Sequence, residues 1–198
     1  GNIHTNLSMV VAKGRVKDLT SRPGSGTTVS LNGGVVLPGL IDAHVHLVWE
    51  GQPDPNRDTV SETIPATAYR AARSAHRNLK GGVTTVRDVG ALDYIDLEIK
   101  RAINEGMILG PRTFVSGKAI SMTGGHISQW EALTRVANGP WDVRLAVREQ
   151  IEKGVDLIKI MTSHRTHTPE VTQEELDAGI DEAHRLGVRV ACHAATLP

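Results

Sequence analysis

From Val35 onward, short apolar runs alternate with longer segments whose apolar positions recur every three or four residues. The run VVLPGLIDAHVHL, 35–47, predicts a first buried strand. A helix is predicted around Pro65–Lys80, with proline near its start and Gly81-Gly82 at its stop. Thr84–Asp88 predicts a second strand. Leu92–Glu105 predicts a second helix, with Leu92, Ile95, Ile99 and Ile103 on one face and Gly106 closing it. Arg112–Ser116 predicts a third strand, followed by a long Gly-rich loop through Pro140. Asp142–Lys153 reads as a third helix and Asp156–Met161 as a fourth strand. Thr172 and Glu175 have capping-box spacing ahead of a fourth helix ending at Gly187, and Val188–His193 is a fifth strand. Residues 1–37 lack the helical period. There the β-prone pieces Ser8–Ala12 and Thr28–Leu31, around the turn-rich Ser21–Gly26, predict a few strands of a small sheet.

Strands alternating with helices imply right-handed crossovers and a parallel sheet. No GxGxxG or GxxxxGK[ST] loop follows any strand, which weakens a nucleotide-binding open sheet. A closed barrel needs eight strands and about 250 residues, and an open five-strand piece would expose apolar edges. The expectation is therefore an α/β fold. Residues 38–198 supply the first five β/α units of a TIM-like barrel, residues 1–37 part of a small β domain, and strands six to eight lie outside this sequence.

Composition narrows the function classes. The 22 Lys+Arg balance 22 Asp+Glu, which argues against a nucleic-acid surface or a polybasic membrane patch. Aromatics at 3% argue against a base-stacking platform. A single cysteine, Cys192, excludes an internal disulfide and suits a reducing cytoplasm. No apolar run approaches the roughly 20 residues of a membrane span, and no signal-peptide pattern opens the chain. Histidine, at 9 copies, is the residue type to follow.

In Asp42-Ala43-His44-Val45-His46, strand geometry points both imidazoles to one face, at the strand end where barrel active sites form. Two such imidazoles can share a zinc-like ion, although a chance HxH pair is equally short. Lys159 lies inside the apolar Leu157-Ile158-Lys159-Ile160, where an unpaired ammonium costs several kcal/mol or loses its proton. A salt bridge with a carboxylate such as Asp88 is one solution. Conversion of the neutral amine to a carbamate, an anionic ligand able to bridge two cations, is another. His193 ends the fifth strand on the same rim, while Cys192 before it points the opposite way, as a small core residue. His164 and His167, in SHRTHTPE, are either a solvated loop or an extra metal site.

VVLPGLIDAHVHL, then GVTTVRDVG, GVDLIKIM and VACHA, in that order, resemble the amidohydrolase superfamily, most closely its prolidase-like and imidazolonepropionase-related branch. The resemblance implies a metal-dependent hydrolase with two divalent ions, usually zinc. His44 and His46 would hold the more buried ion, carboxylated Lys159 (N6-carboxylysine) would bridge both, and His193 would bind the second. His126, in TGGH, would lie beside the substrate, and Asp88 would orient Lys159 or a metal-bound histidine. Residues 1–37 would join a composite β-sandwich. A sixth-strand histidine and an eighth-strand aspartate, the usual general base, match nothing in this sequence, so these residues alone are expected to turn over little.

The substrate implied is a small molecule, a dipeptide or an N-acyl amino acid, with no nucleic acid or membrane as partner. The remainder of the barrel, on this chain or another, is the expected protein partner, and self-association stays open. Two other readings remain. One is a mononuclear deaminase or cyclic-amide hydrolase, against which Lys159 argues. The other is a non-catalytic scaffold, against which the retained HxH, lysine and histidine argue.

Overall fold

The computed structural model describes residues 4–22, 24–51, 61–165 and 168–195. The chain divides into two compact units, Gly1–Pro38 and Gly39–Pro198. In the first, β1 (Ser8–Ala12) pairs antiparallel with β2 (Arg15–Thr20). Ala12 faces Arg15, so Lys13 and Gly14 form a two-residue turn with φ of 52° and 69°. Both values are left-handed, as the hairpin twist demands, and Gly14 adopts its value without a Cβ penalty. The β-prone 28–31 forms no strand. β propensity needs a neighbouring strand, and here Gly34 N–H donates to Leu31 O at 2.7 Å, closing a turn instead.

The second unit follows the alternating pattern. Its elements are β3 (Leu40–Val45), α1 (Ile64–Lys80), β4 (Val83–Asp88), a 3-10 turn (Leu92–Tyr94), α2 (Ile95–Asn104), β5 (Arg112–Phe114), β6 (Ala119–Ser121), β7 (Thr134–Val136), α3 (Gly139–Lys153), β8 (Leu157–Ser163), α4 (Gln173–Arg185) and β9 (Arg189–Ala194). Every pairing is parallel, in the orders β3-β4-β5 and β7-β6-β8-β9.

The third predicted strand, 112–116, is shorter than expected: β5 pairs with β4, the chain then bends, and β6, inside the expected loop, pairs with β8. At the bend Asp156 Oδ2 accepts Val115 N–H, and Asp156 N–H donates to Val115 O, both at 2.8 Å. The expected long loop also contains β7, held beside β6. The second helix begins late because Asp93 and Tyr94 take positive φ, 43° and 61°.

Local chemistry sets the helix ends. Thr63 Oγ1 accepts from Ala66 N at the start of α1, and Thr172 and Glu175 form the expected capping box on α4. One apolar cluster gathers Leu47, Val86, Ala71, Ala75, Ile95 and Ile99, and a second gathers Ile158, Ile160, Val143, Val147 and Ala183. Full burial of each large aliphatic contributes about 1.5–3 kcal/mol. The predicted burial of the first strand is not found. Leu40 and Ile41 are 58% and 73% exposed, because among the described residues β3 is an edge strand that pairs only with β4. Cys192 is likewise exposed, on the edge strand β9. No helix among the described residues is long and apolar enough to cross a membrane.

Candidate functional site

The strand ends converge on a cavity of about 220 Å³ lined by His44, His46, Trp49, Gly90, His126, Lys159, Met161 and His193, among others. His44 and His46 project together, as the two-residue strand period requires, with ring centroids 5.5 Å apart. Lys159 and His193 come from β8 and β9, whose register pairs Lys159 with Ala191 and Met161 with His193. His126 comes from the loop after β6.

His46 is fixed from behind. Its Nδ1 lies 2.8 Å from Gly90 O, and only a protonated Nδ1 can donate there, which leaves Nε2 as a lone-pair donor. Gly90 is held in turn by Asp88, whose Oδ1 accepts Gly90 N–H at 3.2 Å while Oδ2 accepts Leu47 N–H at 3.0 Å. Asp88 is fully buried and forms no bond to Lys159 or to an imidazole, so the expected direct contact is replaced by one relayed through the Gly90 peptide.

Across the cavity, Lys159 is 2% exposed, and no ion pair joins it to a carboxylate among the described residues. Burial lowers its pKa, and Arg87 lowers it further. His193 Nε2 is buried without a hydrogen-bond partner. Burial also lowers the pKa values of His44 and His193, and takes those of His46 and His126 to about 4. Neutral imidazoles facing a shared cavity have the donor chemistry that a divalent ion such as zinc requires.

His126 is part of a second grouping. Its ring stacks on His164 at 3.9 Å and lies 4.6 Å from His193. The sequence offers His164 as either a solvated loop residue or part of an extra metal site, and gives no sign of Glu170, whose Oε2 accepts His126 N–H at 2.7 Å. No sequence pattern marks that bond, which spans two loops. His167 lies outside the described residues. The guanidinium groups considered for a substrate carboxylate reach backbone carbonyls: Arg87 donates to Ala43 O at 2.6 Å and Arg165 to Gly124 O at 2.8 Å.

The chain is similar to known proteins in sequence and in fold. The ochratoxinase of Aspergillus niger is 34% identical over 191 residues, covering 80% of this chain and 39% of the enzyme. A prolidase solved with N-methylphosphonate-L-proline superposes with a TM-score of 0.79 at 31% identity, over 94% of this chain and 50% of its own. A Xaa-Pro dipeptidase solved with bound methionine gives 0.80 at 31% identity, over 96% of this chain and 52% of its own. The chain thus spans about half the length of these solved structures, and less of the ochratoxinase. The sequence pattern of the amidohydrolase family matches residues 35–198, which include the whole second unit, and the chain belongs to that family.

Proposed function

We propose that the protein hydrolyses an amide bond of a small substrate at a binuclear metal centre on this strand rim. His44 and His46 would hold one divalent ion, Lys159 as a carboxylysine would bridge two, and His193 would hold the second. Zinc suits this set of imidazole and carboxylate donors. The observation that carries the reading is Lys159, buried in a cavity lined by four imidazoles with no carboxylate partner among the described residues. Its lowered pKa favours the neutral amine, which adds carbon dioxide to give a carbamate and one proton. When bound, the ions would polarise the scissile carbonyl and bring the pKa of an attacking water to about 7.

The chain's own part is positioning. The Gly90 carbonyl holds His46 in the tautomer that presents Nε2, and Asp88 fixes Gly90. His126 lines the same cavity and would contact the substrate. Similarity to a prolidase and a Xaa-Pro dipeptidase favours a dipeptide, or an N-acyl amino acid of the same shape. The free edges of β3 and β9 would take the remaining strands of the barrel, and β1–β2 would join a composite sandwich.

The test is metal content and turnover, on Xaa-Pro dipeptides and N-acyl amino acids, of the purified protein together with the remaining strands of its barrel. Two ions per chain, hydrolysis, and a carbamate carbon resonance lost in Lys159→Met are expected. One ion, with hydrolysis indifferent to Lys159→Met, would favour the mononuclear alternative. Two ions with no turnover would favour a scaffold.

A further inference from the structure

We propose a separate cation site at the cavity mouth, formed by His126, His164 and His193 and taking one zinc-like divalent ion. One ring nitrogen from each of the three lies within 4.8 Å of the others. A tetrahedral ion with metal–nitrogen distances of about 2.0–2.1 Å sets its nitrogens about 3.4 Å apart. The rings therefore need to close by little more than an ångström, within reach of side-chain rotation. Three imidazoles leave a fourth position open, and a carboxylate-free donor set selects zinc, nickel or copper over magnesium or calcium.

Two further observations point to an ion. The buried Nε2 of His193 has no hydrogen-bond partner among the described residues, a cost of about 1–3 kcal/mol that a bound cation removes. The segments carrying the ligands are also tied together in advance. Glu170 Oε2 accepts His126 N–H at 2.7 Å, and Glu170 N–H donates to Thr162 O at 3.0 Å. Thr162 Oγ1 donates to His193 O at 2.7 Å, and Arg165 donates to Gly124 O at 2.8 Å. Glu170, only 5% exposed, adds a carboxylate near His126 and His193 that favours positive charge at this position.

An ion here and the second ion of the binuclear centre compete for His193, so a chain fills one or the other; the site does not depend on that reading, and His164 belongs to it alone. The test is Co²⁺ titration of the chelator-stripped purified protein, followed by calorimetry and visible absorption. It uses the unsubstituted protein, the H44A/H46A variant, and H44A/H46A with His164→Gln. H44A/H46A should still bind one Co²⁺, and adding His164→Gln should weaken that binding about tenfold or more, the loss expected even for groups behind a ligand. Proton spectra of Co²⁺-loaded H44A/H46A, which retains His164, should show three shifted imidazole N–H signals, so the count stands even if His164→Gln misfolds. Failure of H44A/H46A to bind an ion, fewer than three signals, or an affinity indifferent to His164→Gln in a folded variant would each overturn the proposal. Equal stoichiometry in the unsubstituted protein and H44A/H46A, with three signals present, would instead sink the binuclear reading and leave this site standing.

Discussion

The two sides of the cavity are held in opposite ways. On the β3–β4 side the groups behind His46 are partnered: Asp88 accepts two backbone N–H groups, and Gly90 O accepts from His46. On the β8–β9 side, among the described residues, Lys159 is buried without a carboxylate and His193 Nε2 is buried without a hydrogen bond. The first side stabilises the fold while it orients one imidazole. The second accepts a cost in stability to present donors to the cavity, the usual signature of a functional site. Substitutions should therefore change stability with opposite signs on the two sides.

The largest effect is expected at Asp88. Asp88→Ala leaves Leu47 N–H and Gly90 N–H buried without acceptors, at about 1–3 kcal/mol each. Urea unfolding should show a loss of about 2–5 kcal/mol, with Asp88→Asn milder because its carbonyl keeps one of the bonds. A loss below 1 kcal/mol for Asp88→Ala would remove the contrast between the sides.

Gly39, at the root of β3, should come next. A Cβ there would lie 2.6 Å from Thr84 Cβ and closer still to Thr84 Oγ1. The collision involves the base of a side chain, so the backbones of β3 and β4 must part. Overpacking of this kind costs about 1–3 kcal/mol. Gly39→Ala should lose that much in thermal or urea unfolding, and Thr84→Gly in the same chain should restore most of it. No recovery would mean that the strain lies elsewhere.

On the other side the sign reverses. Lys159→Met replaces a buried, unpaired amine with an apolar chain of similar length, and should raise the stability of metal-free protein by about 1 kcal/mol. The same variant should lose the second ion if the binuclear reading holds. A destabilised metal-free Lys159→Met would show that the lysine has a structural partner and would erase the comparison.

What the sequence displays of this contrast follows from the range of each signal. Strand period alone brings His44 and His46 together, and an apolar frame alone marks Lys159 as unusual. Helices α1 and α4 are legible because Thr63, Gly81, Thr172 and Glu175 act within a few residues of the ends they cap. Strand β7 is not legible, because it depends on bonds such as Ala137 N–H to Ser121 O and on pairing with β6. The exposure of Leu40, Ile41 and Cys192 depends on which strands neighbour them, which residue type does not encode. His164 meets His126 through two loops that Glu170 and Arg165 hold together, a tertiary event with no local pattern.

The smallest effect sharpens how the partnered side is built. Asp96 is buried close enough to Asp88 to repel its charge, and accepts N–H groups from Ser116, Gly117 and Leu97 at 3.1, 2.8 and 3.0 Å. Burial nevertheless dominates and raises its pKa to about 6 from an ordinary 3.8. Between those values the folded chain holds a proton that the unfolded chain has released, so stability falls as pH rises from about 4 to about 6. Asp88, raised in the same direction by burial and by Asp96, adds to the slope. Asp96→Asn keeps an acceptor for the Gly117 amide and removes the titration, so urea midpoints measured across that window should fall less steeply than in the unsubstituted protein. An unchanged slope would mean that the three N–H groups outweigh burial and keep Asp96 ionised throughout. The partnered side would then contain a fixed negative charge, and Asp88 alone would account for its pH dependence.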